Sequence, residues 1–244
     1  MDTPGFPSGT LDEDGYPIWL SEMAEEEPNA ILHLVRDMSP DEVLRGLEAD
    51  PSAAVPCTLP AERPKGVSMA KAAFGSDSRA MSVLLAGRIG GWTFVYDDAG
   101  ATVAIGGLPI LRRILGAAAP TEVPESAPEG GWDATSDPAE VLSAAGGPAI
   151  TLHECINGLT SLTYAVNGRA VFRTNSDEVD GPFEDELPAE VRAADDAAGT
   201  IAELAFEPGE RDPSAVARFA CALAGASWTM ADLRAAPLRV VELH

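Results

Sequence analysis

The chain has 244 residues, with 16 Lys and Arg against 39 Asp and Glu, a net charge of −23 and a pI near 4.2. Such a surface repels nucleic-acid phosphates and anionic membranes, so neither is an expected partner. Three unpatterned cysteines, Cys57, Cys155 and Cys221, argue against a disulfide framework, and no apolar run approaches the about 18 residues of a membrane span. The N-terminus lacks a basic region followed by an apolar stretch, so it does not read as a signal peptide and the expected location is the cytoplasm.

Residues 1–15 are acidic and rich in Pro and Gly, and read as a disordered N-terminus ahead of one domain over 16–244. Residues 16–20 are the first apolar cluster, an arm placed to dock on the main body. Acids crowd 22–27, with no base before Arg36. Residues 31–35 read as a strand or a buried helical segment. Ser39-Pro40-Asp41-Glu42 combines a capping residue, a proline for the first helical position and acids for the first turn, so a helix is expected over 40–48.

Residues 49–80 form a long connection, a length that is either functional or mobile in a compact domain, with a short helix expected within 67–74. Five bases and two acids fall in 61–90, so this stretch carries +3 in a chain of −23. Three strands are expected over 83–105 and three more over 150–174. Tyr96 and Tyr164 are each followed four residues later by a glycine, Gly100 and Gly168. Asn157-Gly158 and Asn167-Gly168 suit the type I′ turn, whose two central positions need positive φ. A helix signal precedes each copy, at Ser39-Pro40 and at Ser136-Asp137-Pro138.

The expected fold is therefore α+β: a mostly antiparallel sheet from two three-stranded meanders, each preceded by a helix, with further helices packed on the sheet. The spacing is that of an internal duplication over about 31–116 and 132–206. Between the copies a helix is expected at 108–115, with a linker or insertion at 117–135. After them come an acidic loop at 176–190, a helix at 187–198, a last strand at 201–206 and a C-terminal helical segment at 212–235. Val216, Phe219, Cys221 and Leu223 are its inward face.

Four stretches, 35–47, 90–100, 154–169 and 217–233, together resemble an uncharacterised domain family of actinobacteria, in order, over most of 19–233. The resemblance implies a bacterial cytosolic protein. The family has no assigned activity and no catalytic residues to carry over, and this chain departs from it in its long 49–80 and 117–135 stretches.

Candidate chemistry is sparse. His153 and Cys155 would point the same way from a strand, but zinc needs three or four such ligands and few other histidines or cysteines exist. Asp97-Asp98 reads as turn chemistry. No catalytic residue, metal or cofactor is expected. The expectation is a non-catalytic binding or regulatory protein, of the kind an immunity protein exemplifies, that meets a basic protein partner through Glu25, Glu26, Glu184 and Glu186, with Trp19 and Phe183 as apolar anchors. The alternative is an anion-binding domain or enzyme using Arg79, Arg88, Trp92, Arg112 and Arg113.

Overall fold

A computed structural model describes residues 5–24, 29–75, 78, 80–103, 136–155, 157–176, 187–198 and 213–243. Two helix starts follow the expected chemistry. In α1 (Ile18–Met23) no side chain caps the first turn, but in α2 (Pro40–Gly46) Ser39 accepts from Glu42 N and the Glu42 carboxylate accepts from Ser39 N, a reciprocal capping box. Asp137 accepts from Ala139 N at 2.9 Å and opens α4 (Pro138–Ala145). Between them lies α3 (Met69–Phe74), and α5 (Ala189–Ala198), α6 (Pro213–Ala224) and α7 (Met230–Ala235) follow.

The strands are β1 (Ala30–Arg36), β2 (Val55–Cys57), β3 (Ser82–Ile89), β4 (Trp92–Asp97), β5 (Ala149–Glu154), β6 (Thr160–Val166), β7 (Arg169–Asn175) and β8 (Leu238–Leu243). They make one eight-stranded sheet in the order β2-β8-β3-β4-β1-β5-β6-β7, antiparallel at every step. The fold is α+β, as the sequence predicts.

Both faces of the sheet are covered. On one, Leu34, Leu85, Phe94, Ile150 and Leu162 meet Trp19, Phe219 and Trp228. The ring of Trp228 lies 5.4 Å from that of Trp19 and 5.8 Å from that of Phe94. On the other, Val35, Leu84, Val95 and Ala149 pack under Val43, Leu44 and Leu142 of α2 and α4. Burying each large apolar side chain contributes roughly 1.5–3 kcal/mol. This double covering explains why β1 reads as a continuous apolar run: its residues from Ala30 to Val35 are all buried.

The two expected meanders have different outcomes. The second copy is a three-stranded meander, β5-β6-β7, closed by Asn167 (φ 53°) and Gly168 (φ 75°). Among the described residues the first copy is only a hairpin, β3-β4, and the far edge of β4 is taken by β1, with Phe94 opposite Leu34. Residues 101–103 turn instead of extending. At Asn157-Gly158 only the glycine has positive φ (83°), and its N–H donates to Cys155 O at 2.9 Å, so this is not the two-residue turn expected.

Of residues 1–15, those from 5 onward are described, and individual contacts tie them to the body. Phe6 is buried in the core, Gly5 N donates to Ala197 O at 3.0 Å, and the Arg218 guanidinium donates to Gly15 O at 2.7 Å. Finally, two strands were not foreseen: β2 lies inside 49–80, and β8 enters the sheet between β2 and β3. The strand expected at 201–206, the helix at 108–115 and the linker at 117–135 lie outside the described residues.

Candidate functional site

Buried polar groups from four strands converge where the chain leaves β4. His33 on β1, Asp97 on β4, Thr151 on β5 and Ser82 on β3 are all buried, as is Thr102 just beyond the turn. His33 Nε2 lies 2.8 Å from Thr102 Oγ1, and Nδ1 lies 3.0 Å from Thr151 Oγ1. Asp97 Oδ2 accepts from Thr102 N and from Thr102 Oγ1, both at 2.7 Å. A carboxylate can only accept, so the Thr102 hydroxyl donates to Asp97 and receives from His33 Nε2–H. Nδ1 is then bare and accepts from the Thr151 hydroxyl. Burial pushes the His33 imidazole down to about 3, with His153 adding to the shift, so the ring is neutral.

The network continues outward. Ser82 Oγ donates to Asp97 Oδ1 and lies 3.0 Å from Asp98 Oδ1. Asp98 also accepts from Val83 N at 2.7 Å and from Ser68 Oγ at 2.8 Å, and Ser68 caps α3 by accepting from Lys71 N. Gly100, at φ 70°, lets the turn pass Asn29, whose amide donates to Ala99 O at 2.9 Å. A cavity of about 270 Å³ opens beside Asp98, lined also by Asn29, Lys71 and Met81.

A second cleft of about 290 Å³ lies between the N-terminal arm and β5, lined by Asp12, Asp14, Tyr16, Glu154 and Ser214. There the Tyr16 hydroxyl donates to Glu154. Burial raises Glu154, and it raises Tyr16 well above its ordinary value, with the adjacent carboxylate contributing.

His153 and Cys155 do stand together, with Sγ 3.3 Å from Nε2. Burial raises the Cys155 thiol and lowers the His153 imidazole, while the Asp97 charge partly opposes the latter. Both shifts favour the neutral pair over a thiolate–imidazolium pair, so this thiol is not activated as a nucleophile. Among the described residues, no three His, Cys, Asp or Glu side chains are grouped so as to hold a metal ion.

The binding residues predicted from sequence fare unevenly. Trp19 is 1% exposed and belongs to the core, so it cannot anchor a partner at the surface. Arg88 and Trp92 do not share a pocket. Arg88 lies opposite Thr93 and Trp92 opposite Ile89, so the two occupy different faces of the hairpin. Glu25, Glu26, Arg79, Arg112, Arg113, Phe183, Glu184 and Glu186 lie outside the described residues. Sequence reasoning also passed over His33 and Thr102. The signal was the histidine inside Ile31-Leu32-His33-Leu34-Val35, because a polar ring in a doubly buried strand must find partners. In comparisons with known proteins, no family model, no curated protein and no solved structure matches this chain.

Proposed function

We propose that the protein acts by binding another macromolecule, a protein with a basic surface, through its acidic face. The observation that carries this reading is the net charge of −23, where roughly 2–8 units suffice to keep a small domain soluble. A field of that sign speeds encounter with a basic partner and weakens with salt, since the Debye length falls from about 10 Å at 0.1 M to about 3 Å at 1 M. The groups able to do chemistry support the same reading. Burial raises the Cys155 thiol and lowers the His153 ring, which disfavours a thiolate–imidazolium pair, while Asp97 accepts from the turn at Thr102 N and Asp98 from β3 at Val83 N. The contact residues assigned are Glu25, Glu26, Glu184 and Glu186, with Phe183 as the apolar anchor. Exposed Glu13, Asp14 and Glu22 extend the first acidic stretch.

A cytoplasmic location and kinship with the actinobacterial family belong to the same proposal. So does descent of α2-β3-β4 and α4-β5-β6 from one duplicated unit, each being a helix followed by a hairpin.

A second reading, a small-anion site, is favoured by Lys71, which brings a base of the 61–90 stretch into the cavity beside Asp98. One experiment separates the two. With a partner recovered from native cytosol at low salt, Lys substitutions at Glu25, Glu26, Glu184 and Glu186 should slow association by about tenfold or more and flatten its salt dependence. Unchanged association overturns the acidic-face reading. Saturable binding of inorganic phosphate that Lys71→Met abolishes would put the second reading in its place.

A further inference from the structure

Ser82 Oγ stands between two carboxylates, bonded to Asp97 Oδ1 on one side and 3.0 Å from Asp98 Oδ1 on the other. A serine hydroxyl owns one hydrogen, and an ionised carboxylate oxygen can only accept. With both aspartates charged, one of these two contacts would set lone pair against lone pair. The surrounding bonds decide which aspartate yields. Asp97 is used purely as an acceptor, receiving Thr102 N and Thr102 Oγ1 at 2.7 Å and Ala99 N at 3.2 Å. Asp98 Oδ2 takes the Ser68 hydroxyl at 2.8 Å, while Oδ1 takes Val83 N at 2.7 Å and keeps a position facing Ser82.

We propose that the Asp97–Asp98 pair binds one proton, carried on Asp98 Oδ1, which donates to Ser82 Oγ while Ser82 donates to Asp97 Oδ1, and that this proton latches the 98–102 turn to β3. The chain of donors then runs in one direction, from Asp98 through Ser82 to Asp97. A second chain reaches Asp97 from Thr151 through His33 and Thr102, and every oxygen on the path has the hydrogen it needs. Burial raises Asp98, and the charge of Asp97 adds to the shift.

Among the described residues, no cation forms an ion pair with Asp97 or Asp98. Lys71 of α3 lines the same cavity without an ion pair among the described residues. Glu242 of β8 lies opposite Val83 and accepts from Ser78 Oγ at 2.5 Å. From β1 and β5, His33 and His153 approach as well, and burial lowers both rings, His33 to about 3. When pH rises, the O–H bond on Asp98 breaks and the proton leaves to water through the cavity. Two buried anions then share one hydroxyl hydrogen, and the turn loosens.

The test is carboxyl ¹³C NMR of the full chain as a function of pH. The Asp98 carboxyl should titrate above the ordinary aspartate range. Protection factors of the Ala99, Gly100 and Thr102 amides should fall across the same interval. Asp97→Asn, which removes the neighbouring charge, should lower the Asp98 midpoint. Titration of the wild-type Asp98 carboxyl at or below the ordinary range overturns the proposal, whether or not the variant folds. So does an Asp98 midpoint that Asp97→Asn leaves unmoved.

Discussion

His33 is a polar ring in a strand buried on both faces, and its stability effect has a definite sign. Its folded value lies near 3, below the ordinary 6.5, so the unfolded chain binds more protons between those values. Its contribution to stability is therefore complete above pH 6.5 and is lost as pH falls toward 3. The fall in melting temperature between pH 7 and pH 4 should shrink in His33→Gln relative to wild type, and equal falls would show that the ring titrates normally. Thr102 is the hinge of the same network, since it donates to Asp97 and receives from His33. Thr102→Val keeps the shape but leaves two buried groups each short of a partner, at about 1–3 kcal/mol apiece. Denaturant unfolding should register a loss of about 2–6 kcal/mol, and a loss below about 1 kcal/mol would mean water restores both bonds.

At the level of elements, local chemistry and long-range pairing play separate parts. The capping signals at Ser39 and Asp137 place helix starts within a residue of where they occur, because a cap is satisfied by its own first turn. Turn residues at Asn167-Gly168 likewise specify a hairpin locally. The partner of β4 is a different matter. Val83–Ile105 contains a third extended-looking stretch, yet β1, some 60 residues earlier in sequence, takes the β4 edge. A strand apolar on both faces, as β1 is, must lie inside the sheet, and that demand overrides the local meander.

The last strand follows the same rule. Leu238-Arg239-Val240-Val241-Glu242-Leu243 follows Pro237 and is rich in β-branched and apolar residues, a strand signal that was there to read. Because β8 lies between β2 and β3, deleting residues 238–244 should expose the β3 edge and abolish cooperative unfolding. A truncated chain that still melts in one sharp transition would show that β8 is peripheral.

For the whole molecule, charge and topology act on different quantities. A net charge of −23 repels itself in the compact state, so salt should stabilise the protein. Raising salt from about 0.05 M to about 0.5 M shortens the Debye length about threefold and screens that repulsion. Scanning calorimetry should then show a rise of about 2–4 °C for each kcal/mol of repulsion screened. No rise would mean that the acids are already neutralised by their neighbours. Charge says little about the path of the chain, and the sheet edges show why shape matters too. β2 has only three residues with Pro56 at its centre, and β7 carries Arg169, Arg173 and a register shift opposite Tyr164 and Ala165. Both devices discourage edge-to-edge association of copies.

The sequence by itself determined the α+β class, the capped helices α2 and α4, the second meander and the charge. Each depends on spacing or composition within about a dozen neighbouring residues. Only the tertiary structure decided that β1 separates the two hairpins, that β8 closes the sheet from the far end of the chain, and that Trp19 faces Trp228 rather than solvent. It also decided that His33, Asp97, Thr102 and Thr151, up to 118 residues apart, meet in one network. Those outcomes depend on which buried surfaces and unpaired edges compete for one another across the chain, a contest that no local pattern records.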